Sequence, residues 1–329
     1  MDINLLELQP HKVSRDMRGY SVFFYGEPKS GKTTIATKFP NHLLLAFEKG
    51  YNAIPGAMAQ PINSWAEFIK VWKQLKDDKV KETYETIIID TVDIAYNYCE
   101  TYICNNNGVS TIGDIPFGKG YTLVSKEFDE KLRSIVQMGY GIVLISHATD
   151  KSFKDETGVE YNRIVPTLDK RANNIVARMA DIIGYSRPVS DENDNTKTIL
   201  FMRGTTRYEA GSRFKYTPDY IEFTYQNLVD AIANAIDKQA EEDGEELFTS
   251  ERENAYKDTS SKLDFDALME EFKSLIESFS KDEEKMESYY APRITEIVNT
   301  YLGKGKKVGD MDRDQVEQLA LIVDDLKAL

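Results

Sequence analysis

Gly26-Glu27-Pro28-Lys29-Ser30-Gly31-Lys32-Thr33 is the segment of this chain with the most specific chemistry. Two glycines separated by four residues, then Lys and Thr, match the pattern G-x-x-x-x-G-K-[ST] of a phosphate-binding loop. The glycines let the backbone curl, so that successive N–H groups from Gly26 through Thr34 point at phosphate oxygens. A helix beginning at Lys32 adds the partial positive charge of its N-terminus. Lys32 is expected to reach the β- and γ-phosphates of ATP, and Thr33 to offer its hydroxyl to Mg²⁺.

The second half of a Mg²⁺ site should be an acid at the end of a buried strand. Asp90 closes the apolar run Thr86-Ile87-Ile88-Ile89 and is the candidate that holds the metal through water. Hydrolysis also needs a carboxylate to orient or deprotonate water. Glu48, at the end of Leu43-Leu44-Leu45-Ala46-Phe47, is the first choice; the bland alternative is a surface Glu paired with Lys49. Asp93 is the second choice, although the first turn of a helix accounts for it more simply. Ser146 and His147 end another apolar run, from Gly141, and are placed to sense the γ-phosphate and pass its presence into the following loop.

These residues need a frame that brings strand ends together. Short β-rich runs at Tyr20–Tyr25, His42–Phe47, Thr86–Asp90, Gly141–Ser146, Asp181–Ser186 and Lys197–Arg203 alternate with amphipathic segments. Those segments are Lys32–Phe39, Ser64–Lys76, Val92–Cys104, Thr122–Met138 and Arg171–Met179. The alternation predicts an α/β fold with a mainly parallel sheet, whose ligand sites lie at the carboxyl ends of its strands. Short turns such as Asp191–Asn195 predict an antiparallel edge near the close of the domain.

The domain is expected to end at 237. An acidic linker, 238–262, should follow, and then a three-helix module, 263–329. Within that module Phe265, Leu268, Met269, Phe272, Leu275, Ile276 and Phe279 form one apolar face. A second helix is expected over Glu283–Leu302, and a third opens at Asp312 with Gln315 as the partner in a capping box.

The net charge is −14, but from Lys238 onward 13 basic residues face 24 acidic ones, a net of −11. Only −3 remains for the first 237 residues, so a local basic patch there is compatible with the total. With no long apolar run and no leader-like start, a chain that stays in the cytoplasm, away from membranes, is expected. Two cysteines, Cys99 and Cys104, cannot form a disulfide framework, and a reducing compartment suits them.

Together, Gly26–Thr34, Glu48, Asp90, Ile145-Ser146-His147, Ile112–Tyr121 and Ala210-Gly211-Ser212-Arg213 resemble the RecA-like P-loop ATPases of bacteriophages. The resemblance covers roughly residues 15–237. It implies a RecA-like core that hydrolyses ATP with Mg²⁺ and acts in phage DNA recombination, annealing or replication, in the cytoplasm of a bacterial host. In AAA+ proteins a glutamate follows the strand-end aspartate directly; Thr91 stands there in this chain, which argues against that subclass.

The resemblance further implies a homo-oligomer in which a neighbour supplies a cation to the γ-phosphate. Arg213 is the first candidate, with Arg203 and Arg207 as alternatives. It also implies single-stranded DNA binding through Asn105–Lys119 and Thr149–Asn173. The second stretch mixes Lys151, Lys154, Arg163, Lys170 and Arg171 with Phe153 and Tyr161, as strand binding requires. Asp150, Asp155, Glu156, Glu160 and Asp169 dilute it. The C-terminal module lies outside the resemblance and suits docking of a single-strand-binding or replisome protein. A competing reading is a P-loop ATPase acting on a protein partner, such as a helicase loader, without touching DNA. A small-molecule kinase is weaker, because no Arg-rich lid segment is seen.

Overall fold

The computed structural model describes residues 6, 9–190, 194–252 and 263–329. It divides into two compact units, Pro10–Lys257 and Asp258–Leu329 with Met1–Gln9. In the larger unit the elements run β1 Val13–Ser14, β2 Ser21–Gly26, α1 Lys32–Ala36, β3 His42–Ala46, β4 Ala59–Pro61, α2 Trp65–Gln74, α3 Asp78–Thr83 and β5 Thr86–Asp90. There follow α4 Val92–Asn106, α5 Lys119–Gln137, β6 Gly141–Lys154, β7 Glu160–Pro166, α6 Lys170–Met179, β8 Ile182–Ser190 and β9 Thr196–Phe201. The unit closes with β10 Gly211–Ser212, β11 Tyr220–Glu222, α7 Tyr225–Asp243 and β12 Phe248–Thr249.

The sheet has the order β11-β9-β8-β2-β6-β5-β3-β4. From β8 to β4 all neighbours run parallel, while β9 and β11 form an antiparallel edge, as the sequence predicts. The continuous apolar runs lie at the centre because both faces of the sheet are covered. Phe23, Tyr25, Leu45, Ile87, Ile89, Ile142 and Leu144 pack with Trp65, Phe128 and Val176 of the helices on one side. Their alternates Val22, Phe24, Leu44, Ile88, Val143 and Ile145 pack with Phe39, Leu228, Ile232 and Ile236 on the other.

Two expectations need correction. The strand expected at Gly141–Ser146 runs on to Lys154 and pairs antiparallel with β7, so a two-stranded ribbon replaces most of the expected loop at Thr149–Asn173. The larger unit also does not stop at 237. α7 crosses that position, and Ala240 and Phe248 are buried in the same core as Ile232 and Ile236. β12 pairs parallel with β1, and Arg252 donates to the carbonyls of Gly139 (2.5 Å) and Glu85 (3.3 Å). The expected linker is therefore ordered through Arg252; residues 253–262 of it, and 191–193 of the expected turn, lie outside the described residues.

The smaller unit is helical: α8 Phe265–Ser280, α9 Glu283–Lys285 leading through a π-helical turn at Met286–Tyr290 into α10 Ala291–Leu302, and α11 Val316–Lys327. Val298, Leu302, Leu319, Ile322, Val323 and Leu326 form its core. The capping box is present, with Asp312 N–H donating to Gln315 Oε1 at 3.0 Å. No helix among the described residues is long and apolar enough to cross a membrane. Cys99 and Cys104 are both free and buried.

Candidate nucleotide-binding site

The register of the sheet gathers the predicted residues at one edge. Gly26 ends β2 opposite His147 on β6; Asp90 ends β5 opposite Ile145, and Ala46 on β3 is opposite Asp90. The strand carrying Ser146 and His147 thus lies between the phosphate-loop strand and the Asp90 strand. Residues distant in sequence become neighbours because parallel strands present their carboxyl ends together.

Between Gly26 and Lys32 the chain turns through left-handed positions at Lys29 (φ 62°) and Gly31 (φ 81°). Gly26 is obligatory for a different reason: a Cβ there would stand 2.1 Å from the Ser186 carbonyl oxygen on β8. Ser30 and Ser186 join the loop to β8 through hydroxyls 2.8 Å apart. α1 proper ends at Ala36, short of the expected Phe39, so its dipole is small. The first-turn N–H groups, which have no intrahelical acceptor, are the stronger attraction for an anion.

Lys32 folds back under the loop, where Nζ donates to the carbonyls of Gly26 (3.0 Å) and Glu27 (2.7 Å). Only 5% of it is exposed. Burial pushes its pKa down to about 8, against the opposing pull of the Asp90 and Glu48 charges. Phosphate oxygens are better acceptors for an ammonium than these carbonyls, so the position fits a nucleotide. Thr33 donates its hydroxyl to Asp90 Oδ2 at 2.6 Å. Burial raises the Asp90 pKa, and the hydroxyl of Thr33 pulls the other way. A hydroxyl and a carboxylate in contact beside a phosphate loop are the oxygen donors that Mg²⁺ takes, so the pair fits that ion too.

Glu48 stands beside this pair. The N–H groups of Phe47 and Glu48 both donate to the Asp90 carbonyl (2.7 and 3.1 Å), which fixes the turn after β3. Glu48 Oε1 accepts the Thr91 hydroxyl at 3.1 Å and lies 3.3 Å from His147 Nε2. Its neighbours are therefore the other strand ends. Thr91 sits where a glutamate was looked for; its contact with Glu48 shows that a carboxylate from the neighbouring strand reaches the same place.

Ser146 and His147 separate. His147 faces Glu48, and its Nδ1 is buried with no partner among the described residues. Ser146 is fully buried, and its hydroxyl turns to Asp93 Oδ1 at 3.0 Å. Thr167, just past β7, donates to the same oxygen at 2.6 Å, and its N–H bonds the His147 carbonyl at 2.9 Å. Asp93 thus ties the nucleotide edge to the base of the ribbon. Burial raises its pKa, and its Oδ2 has no partner among the described residues. Nothing in the sequence singles out Thr167 or the contact of Thr91 with Glu48; both follow from strand register.

The arginines scatter. Arg213 follows β10, whose partner residues on β8 are Ile182 and Ile183, so it lies at the opposite edge of the sheet, where β2 begins. There its Nε is 3.3 Å from Asp181 and its Nη2 donates to the Arg178 carbonyl at 2.9 Å. Arg213 is not brought to the phosphate loop of its own chain. Arg203 is occupied by the carbonyls of Thr217 and Lys215. Arg207 is exposed beyond the nucleotide edge. Its carbonyl accepts the N–H of Ile164 at 2.7 Å, and Ile164 pairs with Asp150, three residues past His147. The same loop is fastened to the phosphate-loop strand by Tyr25, whose hydroxyl donates to the Glu209 carbonyl at 2.6 Å.

Comparison with known proteins agrees with this geometry at the level of family. Residues 18–214 match the family model described as AAA domain. The SPbeta prophage-derived uncharacterized protein YorG of Bacillus subtilis (strain 168) is 35% identical over 338 residues, covering 100% of this chain and 99% of that protein. The crystal structure of the flagellar accessory protein FlaH from Methanocaldococcus jannaschii matches 66% of this chain and 95% of its own, at a TM-score of 0.34 and 11% identity, too slight a likeness to carry an argument. The matched region contains the phosphate loop, Glu48, Asp90 and His147, and the chain belongs to the AAA-domain family of P-loop ATPases.

Proposed function

We propose that this protein is a Mg²⁺-dependent ATPase with a RecA-like working arrangement that acts as an oligomer on single-stranded DNA, in phage recombination, annealing or replication. The observation that carries the ATPase reading is the meeting of Lys32, the Thr33–Asp90 pair and Glu48 at one sheet edge. In this reading Lys32 leaves the loop carbonyls for the phosphates, and Thr33 and Asp90 hold the metal. Glu48 orients and deprotonates the attacking water. Bound Mg²⁺ supplies charge neutralisation at the phosphate oxygens. Arg207, on the nucleotide side and fastened to both β2 and the ribbon, is better placed than Arg213 to serve a neighbouring copy.

The DNA reading rests on the ribbon. Lys151 pairs with Arg163 and Phe153 with Tyr161, so all four share one face. The two rings stack with centroids 6.0 Å apart. Asp150 and Glu160 belong to the opposite face. Asp155 is used inside the turn, accepting from the N–H groups of Thr157 and Val159, and Asp169 caps α6. The acids that dilute this stretch in sequence are thus largely diverted from the cationic, aromatic face. Arg163 keeps a loose ion pair with Glu209, 3.7 Å away. Phe117, in the Asn105–Lys119 stretch, is 96% exposed. Cations beside stackable rings suit a phosphate backbone and unpaired bases. The separate helical unit suits docking of a single-strand-binding or replisome protein.

ATPase rates with and without single-stranded DNA test the reading. DNA should raise turnover, and Phe153→Ala with Lys151→Ala should remove the stimulation while leaving the basal rate. Basal turnover that DNA does not change, together with no DNA binding, would favour a protein partner instead.

A further inference from the structure

A cavity of about 500 Å³ opens at the other edge of the sheet, where β2 begins, away from the phosphate loop. Three arginines line it, each from a different element: Arg133 on α5, Arg178 on α6 and Arg213 after β10. Tyr20 and Phe214, in edge-to-face contact with centroids 4.9 Å apart, supply an apolar wall.

The charge inside is one-sided. Asp181 is the only acid among the described lining residues. Its Oδ2 accepts the Ser21 N–H at 2.8 Å and its Oδ1 faces Arg213. Arg133 forms an ion pair with Asp129, whose Oδ1 is 2.7 Å from its Nε and which does not line the cavity. Arg133 and Arg213 have carboxylate partners, whereas Arg178 has none among the described residues. An arginine in the last turn of a helix also complements the helix dipole, but Arg213 comes from a strand end and converges on the same space.

Ligand sites are concavities of roughly 300–1,000 Å³ with apolar walls and a few convergent polar groups. Guanidinium donors in a planar fork match phosphate oxygens in particular. We propose that this cavity binds a phosphorylated small molecule, with the phosphate on Arg133, Arg178 and Arg213 and the body of the ligand against Tyr20 and Phe214. Such a ligand touches the start of the strand whose other end is Gly26. The proposal is independent of the ATPase reading.

Titration calorimetry with pyrophosphate and with AMP tests it, using the full chain carrying Lys32→Ala to weaken the phosphate loop. Saturable binding is expected, weakened at least about tenfold by Arg178→Ala, a change on an exposed helix position. Stronger binding of AMP than of pyrophosphate identifies a nucleotide-like ligand; equal binding identifies one recognised through its phosphate alone. Arg178→Ala in the otherwise native chain should leave the ATP-induced rise in melting temperature unchanged, which shows that the fold and the phosphate loop are intact. No saturable binding of either probe, or binding that Arg178→Ala does not weaken, overturns the proposal.

Discussion

Thr33 and Asp90 come from opposite sides of an intervening strand, yet their side chains meet at 2.6 Å. The hydrogen bond holds a buried carboxylate whose charge is costly, since burial raises its pKa. Asp90→Asn keeps the bond to Thr33 and removes that charge. The nucleotide-free variant should therefore melt no lower than the native chain at neutral pH. ATP without metal should stabilise both alike. The additional stabilisation from Mg²⁺ should be lost in the variant, and thermal melts with ATP plus chelator or ATP plus Mg²⁺ measure it. ATP at ~100 times its dissociation constant should stabilise by roughly 2.7 kcal/mol. Equal metal effects in the two chains would count against the metal assignment.

Lys32 predicts a proton signature. Its pKa in the fold is about 8, below its ordinary value near 10.5, so between these values the unfolded chain holds more protons than the native one. Its contribution to stability therefore rises with pH across that window, and at neutral pH its charge costs stability. Phosphates on the ammonium reverse the shift. ATP binding at a pH between 8 and 9 should take up protons, seen as a dependence of binding enthalpy on buffer ionisation. Lys32→Ala should abolish the uptake. No uptake in the native chain would mean that Lys32 stays charged without nucleotide.

Glu48→Gln should separate binding from turnover. The amide can still accept the Thr91 hydroxyl but cannot take a proton from water. ATP should stabilise the variant normally, while hydrolysis falls ~100-fold or more. Near-normal hydrolysis would transfer the role to Asp93, a further carboxylate at this edge beside the metal-holding Asp90.

How much of this was legible in the sequence depends on whether a residue's role is local. The phosphate loop, Asp90 and the parallel core were readable because each is a contiguous motif or an apolar run. Ser146 and His147 were readable as a pair but not as opposites, since one turns to Asp93 and the other to Glu48. The ribbon was missed because its outer part is exposed and mostly polar, so Lys151–Lys154 carries no apolar alternation. α7 was missed because the acidic composition after Lys238 masks the buried positions Ala240 and Phe248. Arg213 was favoured by its local motif, whereas its place at the far edge is set by the pairing of β10 with β8.

The position of α7 makes a prediction about truncation. A chain ending at 237 loses Ala240, Phe248 and the bonds of Arg252. Removing a buried Phe side chain alone costs about 3–5 kcal/mol. A chain ending at 257 keeps all three and should match the full-length protein in ATP binding and in the urea midpoint of the larger unit. The 237 truncation should unfold at markedly lower urea or fail to accumulate. Equal midpoints for the two would show that the segment past 237 adds nothing to this core.

Arg207 supplies the last prediction. The phosphate loop of one chain carries Lys32 as its cation, and Arg203 and Arg213 are held elsewhere. A cation contributed by a neighbour stabilises charge developing on the γ-phosphate and can be worth ~10³–10⁵ in rate. If Arg207 has that role, specific activity must rise with protein concentration as copies assemble. Arg207→Ala should bind ATP and turn over poorly, whereas Arg213→Ala should hydrolyse ATP at close to the native rate. Mixing Lys32→Ala with Arg207→Ala creates interfaces that pair an intact phosphate loop with an intact Arg207, so part of the activity should return. A mixture that co-assembles, by mass, yet stays inactive would remove Arg207 from the interface. Strong loss in Arg213→Ala, with recovery on mixing it with Lys32→Ala, would instead require the far edge of one copy to face the nucleotide edge of the next.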